Sequence, residues 1–290
     1  MDWQEQGGVD PRGLAGARAQ AHWAAQAIAA AGETYLAHVP DTSHTAMSWD
    51  APLSALAGLA IPGALPCRVA LRVRDLMLLL VDAGGREIAR AALAGRTLAE
   101  ASAWTARAIG LHTRSGASRP LVHPGYELPA HPLASGGRFE LEPGAQAELP
   151  RWFANADREL RAFAARTPGA GPVLCWPHHF DIATLVVLEV DAAGEATRTI
   201  GAGLSPGDES IGEPYWYVNH WDAARDAESE PGKLPALAAG EWFTDGWTGA
   251  LLLGSELVAA GPAAAQQAML RAYLASAVEA SRRLLTAPSP

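Results

Sequence analysis

LLLVDAGGRE (78–87) and VVLEVDAAGE (186–195) are the two stretches on which the reading of this chain turns. Each is a short apolar run, then D-A-x-G, then a return into mixed residues. With an offset of 109, Val81 falls on Val190, Asp82 on Asp191 and Gly85 on Gly194. Short apolar runs bounded by Asp and Gly read as strands closed by a turn. The match predicts an internal duplication of two hairpin-plus-helix halves. Hairpins and helices that do not alternate strictly as βαβ give an α+β fold class, with a mainly antiparallel sheet and flanking helices.

Working outward, alanine-rich residues 14–36 predict a helix. DTSHTAMSWD (41–50) alternates as a strand would, with His44, Ala46 and Ser48 on one face. In CRVALRVRD, Arg68, Ala70, Arg72 and Arg74 alternate with Val69, Leu71 and Val73, continuing the meander. Residues 97–111 read as an amphipathic helix. A further helix precedes the second hairpin, with Pro150 near its start, where a missing N–H costs least. PYWYVNHW (214–221) reads as extended, and 263–285 as a terminal helix. The organisation expected is a flexible tail over 1–13, an N-terminal α+β half over 14–111, an irregular Pro- and Gly-bearing connection over 112–145, and a C-terminal α+β half over 146–290, forming one compact unit.

Composition excludes several function classes. The formal net charge is −9, from 22 basic and 31 acidic residues. No basic stripe is present, so nucleic acid is excluded as a partner. No apolar run reaches the length of a membrane span, and no secretory leader pattern opens the chain. A soluble, cytoplasmic protein is expected. Cys67 and Cys175 lie beside apolar runs in no paired pattern and read as buried free thiols. Phosphate-loop, dinucleotide and H-E-x-x-H patterns are missing. The only lysine, Lys233, sits in EPGKLP, which argues against Schiff-base chemistry.

Gly203-Leu204-Ser205-Pro206-Gly207 matches the esterase pattern G-x-S-x-G. That chemistry needs the N–H of the residue after serine as an oxyanion donor, and Pro206 has none. Ser-Pro-Gly-Asp reads instead as a β-turn.

The chemistry-bearing stretch is Trp176-Pro177-His178-His179-Phe180-Asp181. A strand beginning near His178 puts His179 and Asp181 on one face. His-x-Asp can supply two metal ligands, and His220 is the best third member of a two-His, one-carboxylate set. Zinc, iron or manganese would suit it. The same geometry serves an acid–base pair in which Asp181 orients His179. It also serves a turn in which both side chains only bond backbone. His178 and Glu213 are reserves. Nine of the 20 aromatic residues fall within 176–247. Trp176, Tyr215 and Tyr217 are expected to shape a cavity for a small molecule, or to be core.

W-P-x-H-F-D, G-L-S-P-G-D, P-Y-W-Y-V and W-x-G-A-L-L occur in that order at Trp176–Asp181, Gly203–Asp208, Pro214–Val218 and Trp247–Leu252. Together they resemble a bacterial family catalogued as a domain of unknown function, most clearly over 172–285. The resemblance implies that these segments belong to one unit and carries no reaction or cofactor. The expectation is an enzyme centred on His179 and Asp181, metal-dependent or acid–base. A non-catalytic binding protein and an interaction module are the alternatives.

Overall fold

A computed structural model describes residues 2–113, 119–224 and 234–286. Lys233 lies outside the described residues. The chain forms two compact units that do not follow the chain order. The first takes residues 13–154 and 174–181, and the second takes 1–12, 155–173 and 182–290. The fold is α+β, with antiparallel strand pairing throughout the named ladders.

In the first unit, helix α1 (Ala15–Tyr35) leads to strands β1 (Met47–Asp50), β2 (Ala55–Gly58), β3 (Cys67–Arg72), β4 (Met77–Asp82) and β5 (Glu87–Ala92), then helix α2 (Leu98–Thr113). These strands pair as a meander in chain order, and β6 (Leu174–Trp176) joins beside β1. Helices α1 and α2 pack on one face, the one bearing Leu56, Leu71 and Leu78. The opposite face carries Ala55, Ala57, Ala70, Leu79 and Val81, also buried. Burial on both faces explains why β4 is an unbroken apolar run rather than an alternating one.

The second unit orders its strands β10 (Glu241–Phe243), β11 (Gly249–Leu253), β9 (Tyr215–Asp222), β8 (Ala196–Ser205), β7 (Asp181–Val190). Helix α5 (Ala263–Thr286) packs on β8, β9 and β11, and the short α4 (Gly254–Ala259) precedes it. On α5 the buried Tyr273 donates its hydroxyl proton to the Ala250 carbonyl at 2.6 Å.

The two D-A-x-G turns are built alike. Asp82 Oδ1 accepts from the N–H groups of Gly84 and Arg86, each at 2.9 Å. Asp191 Oδ1 accepts from Ala193 and Glu195, also at 2.9 Å. Gly85 and Gly194 have φ of +81° and +87°. An L side chain rarely adopts that conformation, so the turn selects glycine there.

Several expectations need correction. Residues 2–12 are not a loose tail: Trp3 Nε1 donates to Gln266 Oε1 at 3.2 Å, and Gln4 bonds Asn155 through its N–H and carbonyl. The boundary between units falls inside helix α3 (Pro143–Ala164), after Ala154, not across 112–145. The described part of that connection wraps the first unit, burying Leu133 and Phe139. Its Val122 N–H bonds Thr34 Oγ1 at 2.8 Å. Pro150 lies inside α3, whose start is set by Pro143. Residues 43–45 form a 3-10 turn rather than strand, and the strand begins only at Met47.

Candidate functional site

Trp176 ends β6, and residues 177–180 form a turn before β7 opens at Asp181. The strand therefore starts three residues later than the sequence suggests, and strand alternation does not set where His179 and Asp181 point. The turn closes when Phe180 N–H donates to the Trp176 carbonyl at 2.6 Å. Phe180 has φ +60°, the left-handed region, which costs a non-glycine residue about 1–2 kcal/mol. Its ring offsets that cost by burial: it stacks on His22 at 5.2 Å and meets Phe153 edge-on at 5.2 Å.

Three side chains of the first unit brace the same turn. His22 Nε2 donates to the Pro177 carbonyl at 2.9 Å, and Gln26 Nε2 donates to the same oxygen at 2.8 Å. Tyr126 in turn donates its hydroxyl proton to Gln26 Oε1 at 2.7 Å. Burial holds His22 down to about 4, against the opposing effect of its bond to Pro177, so the ring is neutral at neutral pH. Burial pushes the Tyr126 hydroxyl up, so it stays a donor.

The braced turn presents His178 and His179. His178 is half-buried, with Tyr126, Trp176 and His179 at ring distances of 5.6, 5.9 and 4.4 Å. Burial, then the neighbouring His179, holds His178 down to about 4. His179 is exposed. Asp181 is buried, near enough to Cys175 to add to the effect of burial, which raises that thiol well above its ordinary value. Trp176, His178, His179 and Asp181 thus all belong to the first unit, not to the start of a second half.

Tyr215, Tyr217 and His220 lie on β9 of the second unit. Tyr215 is buried and donates to Asp208 Oδ2, while Trp216 and Val218 fill the core. His220 is half-buried, opposite Ile200. Glu213 accepts from Ser255 N–H at 2.6 Å and from Ser255 Oγ at 3.1 Å, which caps the start of α4. Ser205 ends a strand rather than opening a helix, and its Oγ accepts from Gly207 N–H at 3.2 Å.

Set against protein-family models, curated proteins and solved structures, the chain matches none. No helix among the described residues is long and apolar enough to cross a membrane.

One cluster was not anticipated. Among the described residues, Glu33, His38 and His44 are the group of three metal-capable side chains whose ligand atoms converge, all within 4.8 Å of one another. Glu33 is in the last turn of α1, His38 in the loop after it and His44 in the 3-10 turn. The spacing E-x4-H-x5-H crosses a helix end and a loop. No periodic pattern marks it, and reading 41–50 as strand sent His44 to a sheet face.

Proposed function

We propose that the chain binds a small planar organic molecule at the Trp176–Phe180 turn, with His179 as the polar contact and Trp176 and Tyr126 as the stacking surfaces. The observation that carries this is the bracing of a turn in which Pro177 and Phe180 are buried and His179 is exposed. His22 and Gln26 converge on the Pro177 carbonyl, Tyr126 holds Gln26, and Phe180 accepts a strained backbone. Strain held by a polar network clusters at binding sites, and here it fixes two adjacent imidazoles. Aromatic faces with a few fixed polar groups suit a planar ligand.

A second reading is acid–base chemistry by His179 with Asp181. It is favoured by the exposure of His179 beside a His178 that stays neutral. Histidine is the side chain most often used as a general base. A cytoplasmic setting accompanies both readings, supported by two buried cysteines that remain free.

Tryptophan fluorescence, titrated with a panel of aromatic and heteroaromatic metabolites, tests the proposal. Saturable quenching that weakens about tenfold in His179→Ala, with the fold retained by circular dichroism, is the expected result. Quenching unchanged in His179→Ala and Trp176→Leu, or none at all, overturns it. Conversion of the bound compound, lost in His179→Ala, would establish the second reading.

A further inference from the structure

We infer that Glu33, His38 and His44 form a binding site for a first-row divalent metal ion, with zinc the best match. The ligand atoms of all three lie within 4.8 Å of one another. The tightest pair, His44 Nε2 and Glu33 Oε2, stands at 2.8 Å. Nitrogen and oxygen ligands sit about 2.0–2.1 Å from zinc, which sets them roughly 3 Å apart. A small outward shift of this pair therefore admits the ion, and His38 completes the set from an exposed loop. Two imidazoles and one carboxylate suit zinc, iron, nickel or copper and disfavour calcium and magnesium, which take all-oxygen sets.

The site is built rather than accidental. His44 is 4 % exposed in its side chain, whereas Glu33 is 29 % exposed, so the pair runs from core to surface. The His38 ring meets the His44 ring edge-on at 4.9 Å. The loop between them is held by two turns. Thr42 N–H donates to the Val39 carbonyl at 3.0 Å across Pro40, and Asp41 Oδ1 accepts from the N–H and hydroxyl of Ser43. Gly32 leaves room for the His44 backbone against α1. The His44 end of the site is thus held by the loop and by its close approach to α1.

Proton placement defines what metal binding must change. Val39 N–H donates to His44 Nδ1 at 3.5 Å, so Nε2 carries the ring proton and gives it to Glu33. A cation between Nε2 and the carboxylate replaces that proton, which moves to Nδ1. Nδ1–H then faces the Val39 N–H, so the long contact to Val39 is lost and the loop must shift to part the two donors. Three protein ligands leave at least one coordination position for water or a substrate atom, the arrangement of catalytic zinc sites. Beside His44, Ile28, Leu59, Ile61 and Val69 line an apolar hollow.

Calorimetric titration of chelator-treated full-length protein with zinc chloride is the test. One equivalent should bind to the wild type. Affinity should fall at least about tenfold in Glu33→Gln and in His38→Ala, each at the surface end of the site and not required for the core. His179→Ala and His220→Gln should bind as the wild type does, separating this site from the histidine turn and from the ligand set expected from sequence. Cobalt substitution should give visible absorption in the wild type that is lost in Glu33→Gln. Absence of stoichiometric binding, or affinity unchanged in Glu33→Gln and His38→Ala, overturns the proposal.

Discussion

A Cβ on Gly32 would collide with the carbonyl oxygen of His44, and would also press on the Thr45 Cα. Both obstacles are backbone, so no side-chain rotation relieves them. Glycine inside a helix costs about 1 kcal/mol relative to alanine, yet α1 places one three residues before its end. The close approach explains it: the 3-10 turn of 43–45 can lie against α1 only where the helix lacks a side chain. Gly32→Ala should therefore destabilise the protein by about 1–2 kcal/mol despite the better helix propensity, because overpacking against backbone outweighs that gain. A urea midpoint equal to or above the wild type's would show that the turn moves aside freely.

Phe180 sets strain against burial. Removing the ring takes a side chain that is 1 % exposed out of contact with His22 and Phe153. Phe180→Ala should cost about 3–5 kcal/mol. Phe180→Gly loses the same ring but relaxes the left-handed backbone, so it should be the more stable of the two by about 1 kcal/mol. Glycine is otherwise the worse substitute, so this order is diagnostic. Chemical denaturation of both variants decides it, and alanine ahead of glycine would mean that φ at 180 is not positive.

The α+β class, both D-A-x-G hairpins, α1, α2 and the extended run of β9 were legible because each depends on residues close in sequence. Trp216 and Val218 on one face of β9 are core, as alternation requires. What was not legible depends on long-range packing. The His178–Phe180 turn reads as the start of a strand until Phe180 adopts positive φ, and that conformation is held by His22 and Gln26, over 150 residues away. The unit boundary inside α3 has no local marker, since nothing between Ala154 and Asn155 breaks the helix. The Glu33–His38–His44 cluster was invisible for the same reason, because helix, loop and 3-10 turn each contribute one residue.

Burial of neutral His22 makes stability pH-dependent in a defined window. Its folded value is about 4, against an ordinary value of 6.5 in the unfolded chain. Between those values the unfolded state binds more protons, so stability rises with pH. The contribution is complete above about 6.5 and is lost as pH falls towards 4. The change is on the order of 3 kcal/mol for a shift of this size. His22→Gln, which keeps a donor for the Pro177 carbonyl and cannot titrate, should flatten the profile between pH 7 and 4 relative to the wild type. Parallel profiles for the two proteins would mean that His22 is protonated in the fold.

The equivalence of the two hairpin turns can be tested by substitution at matched positions. Gly85 and Gly194 both have positive φ, and a Cβ at either meets nothing within 4 Å. Only backbone strain opposes alanine there, so Gly85→Ala and Gly194→Ala should each cost about 1 kcal/mol. They share no hydrogen-bond partner in the turns they close, so the double variant should lose the sum, about 2 kcal/mol. Gly84 provides the control. Its counterpart at the offset of 109 is Ala193, and both N–H groups bond the aspartate that opens their turn. Alanine already occupies that position in one copy, so Gly84→Ala should change stability by less than about 0.5 kcal/mol. Equilibrium unfolding of the four variants reads the pattern directly. A Gly84→Ala cost equal to that of Gly85→Ala would show that the two turns differ in backbone conformation, and the structural match between the hairpins would fail.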